Sequence, residues 1–148
     1  MKNEQGNIKP TEEEWKPAKY YRDTGETEDW SDMLEVSNLG NVRYIEEYKS
    51  TNKNIKDKPH ICKKGSGHNN YRYITICRDG IRYARRLHRM VLSTFCPVHK
   101  NNKKKMDADH IDFNQLNNKL SNLQWMDRSK HRKRRRTFCV DCGYTEVK

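Results

Sequence analysis

Residues 107–131 read DADHIDFNQLNNKLSNLQWMDRSKH. His110 and His131 stand toward its two ends, with Asn114, Asn117, Asn118 and Asn122 between them. Asparagine is a poor helix former and costly to bury without partners. The middle of the stretch is therefore expected to be an irregular loop, its amides pairing with backbone groups that no sheet ladder satisfies. The flanks are more regular. Residues 108–111 and the run LQW at 123–125 suit short strands, and residues 128–136 suit a helix with Asp127 as N-cap. The expected unit is strand, loop, strand, helix.

The residue types in this unit suit phosphodiester hydrolysis. A water must lose a proton as it attacks phosphorus, and negative charge on the phosphate and leaving oxygen must be stabilised. Histidine fits the first task because its ordinary pKa is near 6.5. A divalent cation held by few protein ligands fits the second. Asp109 offers a hard oxygen ligand and His110 a general base. Neighbours in a strand face opposite ways, but at a strand end or bend the two can flank one phosphate. The His110 ring needs an acceptor to set its tautomer, and the side-chain oxygen of Asn122 is the candidate. His131 would add an imidazole nitrogen to the metal site.

Asp109-His110, then Asp112, Asn114, Asn117 and Asn118, then NLQW and His131 together resemble the ββα-metal core of HNH (His-Me finger) endonucleases, most closely phage homing endonucleases of the nicking kind. Upstream, HRMVLSTF (residues 88–95) is similar to the helix that precedes this core. EVSNLGNVR (residues 35–43), with EWKP (residues 14–17) before it, resembles the N-terminal module common in that family. The likeness spans most of residues 33–131, with residue types, order and spacing agreeing over more than twenty positions.

The resemblance implies an α+β fold, a small N-terminal β-rich module followed by a ββα-metal nuclease core. It implies a metal-dependent DNA endonuclease acting on double-stranded DNA, with His110 as base and Asn122 as the middle asparagine. Asp109 and His131 would hold one Mg²⁺ or Mn²⁺, and the products would carry 5′-phosphate and 3′-hydroxyl ends. The protein would be phage-encoded and work in the bacterial cytoplasm. A single site in a chain this short suggests a monomer that nicks, while a dimer would cut both strands. Two departures stand out. Phe113 occupies a position where the family often has glycine, so it needs a negative φ or some strain. The long helical DNA-reading tail of some relatives is missing. Two rival readings are a nucleic-acid-binding protein on a degenerate scaffold of this type and a phage DNA-processing nuclease of low sequence specificity.

Composition agrees with a polyanionic partner. Of 148 residues only 32% are hydrophobic, and 31 Lys and Arg against 20 Asp and Glu give a formal net charge of +11. The charge is uneven: residues 1–35 hold five basic and ten acidic side chains, so the rest carries +16. The acidic head is expected to be a solvated or loosely docked extension. A sharper idea is that it shields the basic body from non-specific DNA. No apolar run is long enough to cross a bilayer, no signal-peptide pattern opens the chain, and five irregularly spaced cysteines do not suggest a disulfide framework. A soluble intracellular protein is expected, without a membrane partner.

Four segments follow: an acidic extension (1–30), a β-rich DNA-contacting module (31–83), a nuclease core with a basic helix (84–136), and a tail carrying a CxxC pair (137–148). Leu34 and Val36, then Val42 and Tyr44, fit two strands around the SNLGN turn. Residues 46–70 read as a mobile basic connection. A second hairpin turns at Asp79-Gly80, with Tyr71, Tyr73 and Thr75 on one face and Arg72, Ile74 and Ile76 on the other. In residues 87–95, Leu87, Met90, Val91 and Phe95 share a helical face that Pro97 ends.

DNA contacts are expected from Arg78, Arg82, Arg85 and Arg86 on that hairpin. Lys130, Arg132, Lys133, Arg134, Arg135 and Arg136 on the last helix would add phosphate contacts that carry little sequence information. Tyr71, Tyr73 and Tyr83 are expected to pack across strands. Cys139 and Cys142 form half of a zinc knuckle, and Cys96 and His99 have the spacing of the other half. Structural Zn²⁺ is one reading of these four; reduced, unpaired thiols are the other.

Overall fold

Short apolar runs of period two, separated by glycine and asparagine turns, produce four small antiparallel sheets around one central helix among the described residues. The computed structural model describes residues 12–56, 58–63 and 70–137. The first sheet orders β1 (Trp15–Pro17), β4 (Leu34–Ser37) and β5 (Val42–Tyr44) side by side. β2 (Lys19–Tyr21) and β3 (Thr27–Asp29) form a separate hairpin. After α1 (Glu46–Thr51), β6 (His60–Lys63), β7 (Arg72–Arg78) and β8 (Ile81–Arg86) make the third sheet. Then come α2 (Leu87–Phe95), the hairpin of β9 (Met106–His110) with β10 (Leu123–Asp127), and α3 (Arg128–Thr137). A 3₁₀ turn, Leu120–Asn122, leads into β10. The arrangement is α+β. None of the described helices is long and apolar enough to cross a membrane.

The turns follow their residues. Asp79 (φ 53°) and Gly80 (φ 76°) both adopt positive φ, the type I′ geometry whose twist matches the flanking strands. Asp127 caps α3 as expected, its Oδ1 accepting the Ser129 N–H at 2.9 Å. Phe113 takes the strained one of its two alternatives: its φ is +62°, a left-handed conformation that costs an L-residue on the order of 1 kcal/mol or more.

Helix α2 sits at the centre. Its expected apolar face, Leu87, Met90 and Val91, is buried with Leu34, Val36, Ile74 and Ile76. The opposite face is covered too, so every residue from Leu87 to Ser93 is buried, including His88 and Arg89. Ala108 and Leu123 of the last hairpin join the same core as the N-terminal strands. β8 also runs unbroken across residues 83 and 84, where two segments were expected to meet.

Two expectations need correction. Ala18, Tyr20 and Trp30 are buried in the core, so residues 12–30 are not a loosely docked extension but part of the fold. Backbone amides of Lys19 and Tyr21 bond the hydroxyls of Thr94 and Ser93 on α2. The charge-based reading missed this because its few apolar residues are spaced among exposed acids. The stretch 46–70, read as a mobile connection, contains α1 and β6, and Tyr48 stacks on Tyr44 at 5.2 Å. Pairing of β6 with β7, invisible in a lysine-rich sequence, supplies its order.

The SNLGN turn touches the later loop directly. Gly40 (φ +84°) lies so close that an added Cβ would stand 2.7 Å from the Asn118 carbonyl oxygen, and Leu120 N–H donates to Asn38 O at 2.8 Å. Both the φ and the space exclude a side chain. Gly40→Ala is expected to cost about 2 kcal/mol or more in urea denaturation. A loss below about 0.5 kcal/mol, the level of a neutral surface change, would show that the loop yields without strain.

Candidate active site

In β9, Asp107 and Asp109 are two residues apart and so share a face, which α3 covers. Arg128 and His131, three apart on α3, share the face that looks back. The His131 ring stands between the two carboxylates: Nδ1 is 3.0 Å from Asp107 Oδ2 and Nε2 is 3.3 Å from Asp109 Oδ1. Arg128 closes the group, donating from Nε and Nη2 to Asp107 Oδ1 at 3.1 and 3.0 Å. Gln124, opposite Asp109 in the ladder, donates its amide to Asp109 Oδ2 at 2.9 Å.

The charges reinforce one another. Burial opposes ionisation of Asp107, but hydrogen bonds from Arg128 and His131 outweigh it and hold the carboxyl below its ordinary range. The hydrogen bond to Asp109 raises the His131 pKa, with Asp107 adding to it against burial.

His110 is the last residue of β9 and its ring lies on the other side of the strand, against α2. It packs at 4.5 Å from the His88 ring and 5.9 Å from that of Tyr71, while Tyr71 stacks on His88 at 5.1 Å. Burial holds the His110 pKa below the ordinary value, against the opposing hydrogen bond with Asn118. His88, bonded through Nε2 to the Ala108 carbonyl at 3.2 Å, is held far lower by burial and by the neighbouring His110.

The asparagines have other hydrogen-bond partners than expected. The acceptor on His110 Nε2 is Asn118 Oδ1, at 2.8 Å, and not Asn122. Asn122, at the end of the 3₁₀ turn, points into the loop. Its Oδ1 accepts the Asp112 N–H, and its Nδ2 donates to Asp112 Oδ1 and the Asn117 carbonyl. Asn114 and Asn117 tie the same loop through Asp112. Spacing alone does not separate these amides, because the loop folds back and brings Asn118, eight residues on, beside the ring.

Other expected residues scatter. Arg85 is engaged by both Glu28 oxygens at 2.6 and 2.7 Å, which makes it a structural ion pair, and Arg78 pairs with Asp32 over the Trp30 ring. Arg82, Arg86, Lys130, Arg132 and Lys133 are exposed. The Arg134, Arg135 and Arg136 side chains, and Cys139 and Cys142, lie outside the described residues. Cys96 is exposed and gives its carbonyl to the Trp125 indole at 2.6 Å, while His99 Nδ1 accepts the Asn101 N–H. Among the described residues no three His, Cys, Asp or Glu side chains gather as a metal site. Sequence reading gave no site role to Asp107, Asn118, Gln124 or His88. The D-x-D alternation facing R-x-x-H on a helix was the available signal for Asp107.

No family model matches the chain, and no curated protein matches its sequence. Its fold, however, is similar to a solved one. The structure is that of an HNH homing endonuclease, I-HmuI, described by its DNA binding and cleavage, with a TM-score of 0.55 and 24% identity. The likeness covers 86% of this chain and 62% of that protein, so this chain spans under two thirds of its length. At that identity the likeness speaks for the fold.

Proposed function

We propose that this chain is a metal-dependent DNA endonuclease of the HNH homing type that nicks a phosphodiester with His110 as general base. The observation that carries the reading is the His131 ring held between Asp107 and Asp109, with His110 at the end of the same strand. A carboxylate oxygen and an imidazole nitrogen suit a hard divalent cation that takes its remaining ligands from water and phosphate. Asp109 and His131 would hold Mg²⁺ or Mn²⁺, which supplies stabilisation of charge on the phosphate and the leaving 3′ oxygen.

The chain's own residues do the rest. With Asn118 Oδ1 as acceptor, His110 carries its proton on Nε2 and presents Nδ1 as the lone pair that takes a proton from the attacking water. The new bond forms between that water oxygen and phosphorus, and the bond to the 3′ oxygen breaks, leaving 5′-phosphate and 3′-hydroxyl ends. Asp107 fixes the His131 proton on Nδ1, so Nε2 faces Asp109 as a ligand atom. The likeness to a DNA-cleaving protein's fold, the formal charge of +11 and the exposed Arg132 and Lys133 support DNA as substrate.

The test is nicking of supercoiled plasmid with Mg²⁺ or Mn²⁺, then with EDTA. Relaxation that needs the ion, and a preferred position when ends are mapped on long duplex DNA, is the expected result. Scattered positions would favour a low-specificity nuclease. DNA bound without cleavage, on genomic DNA from plausible hosts as well, would leave a binding protein.

A further inference from the structure

The turn between β2 and β3 brings one carboxylate to the edge of the site. Asp23 Oδ1 lies 2.8 Å from Arg128 Nη2 and 3.4 Å from Arg89 Nη2, although the Asp23 side chain is 58% exposed. Arg89 is buried, donating from Nε to the Tyr21 carbonyl and from Nη1 to the Met106 carbonyl. Its Nη2 is buried with no hydrogen-bond partner among the described residues, the Asp23 approach lacking the geometry. Two cavities of about 340 Å³ each meet at this point, both lined by Asp23, Arg86, Arg89 and Arg128. One of them extends to Arg132, His131 and Ala108, along the edge of the proposed metal site.

Four arginines thus line a cleft in which Asp107 is already engaged by Arg128 and His131. A buried guanidinium with an orphaned N–H, facing such a cleft, calls for an anion. Asp23 meets that need incompletely and from an exposed turn. Resting on the DNA-cleaving reading, we infer that this cleft is a subsite for one backbone phosphate of the substrate strand, and that Asp23 is a resident counter-ion which that phosphate displaces. Phosphate has more acceptor oxygens than the carboxylate and matches forked guanidinium donors. The acidic turn then lowers affinity for any duplex that does not seat a phosphate there.

The experiment measures binding of the full chain to a short duplex in EDTA over a range of salt concentrations, for wild type, Asp23→Asn, Glu26→Gln and Arg132→Ala. Glu26, on the same turn, is 77% exposed and reaches only Arg22 at 4.0 Å among the ion pairs, so it controls for general charge. Asp23→Asn is expected to tighten binding about tenfold and Glu26→Gln less than about twofold. Arg132→Ala is expected to weaken binding and lower the slope of log affinity against log salt by about one. An Asp23→Asn protein that binds no tighter than wild type, or no tighter than Glu26→Gln, overturns the subsite, as does an Arg132→Ala protein with an unchanged slope. Failure of plasmid nicking, with these binding results intact, would instead remove the nuclease reading and leave the subsite.

Discussion

Replacing His110 by alanine is expected to lower the metal-dependent nicking rate by roughly 10²–10⁴-fold, the usual contribution of a positioned base. Duplex affinity should stay near the wild-type value, because the ring is buried and the proposed mechanism gives it no direct bond to the substrate. The two asparagines allow a sharper comparison. Asn118→Ala removes the acceptor on Nε2 while the His88 and Tyr71 rings still hold the imidazole plane, so the rate should drop about tenfold with a small loss of stability. Asn122→Ala leaves that acceptor in place and breaks three hydrogen bonds that hold the loop. It should cost about 2–3 kcal/mol in urea denaturation, with the catalytic loss following from unfolding of the loop. Single-turnover nicking and denaturation of the three variants check this. If Asn122→Ala loses rate at full stability and Asn118→Ala loses none, the partner of the base has been misassigned.

Asp107→Asn should weaken Mn²⁺ binding about 10–100-fold, as loss of the carboxylate behind a ligating histidine does elsewhere. Three effects coincide. The neutral amide no longer favours the Nδ1–H tautomer, the ring loses a charge-assisted bond, and Arg128 keeps an oxygen acceptor that no longer carries a negative charge. Calorimetric titration of the DNA-free protein with Mn²⁺ reads the effect apart from turnover. A stabilising Asp107 without a part in ion binding would change the unfolding midpoint and leave the Mn²⁺ affinity unaltered.

Much of the framework was legible in particular residues. Asp79-Gly80 specified a hairpin because only a few dipeptides accept two positive φ values. The alternation around SNLGN located β4 and β5, and Asp127 before a basic run marked the start of α3. The acidic turn was misread for a physical reason: charge runs describe what water sees, while Tyr20, Trp30 and Ala18 between them do the packing. Three acids of that early segment pair with arginines of the later chain: Asp23 with Arg128, Glu28 with Arg85 and Asp32 with Arg78.

By itself the sequence determined the hairpin of β4 with β5, that of β7 with β8, α2, and the strand–loop–strand–helix unit after it, since local backbone preference and side-chain type are properties of neighbouring residues. Which partner each side chain has was decided by tertiary structure. Asn118 rather than Asn122 bonds His110 because the loop folds back, with Gly40 of an early turn packed against its backbone. Asp107 and Asp109 both reach His131 because the pleat of β9 turns them to one face and α3 is laid across it. Asp23 meets the arginines because the β2–β3 hairpin, far earlier in the chain, docks on α2. Contacts of this range depend on how faces pack, and a face is buried only when distant segments close over it.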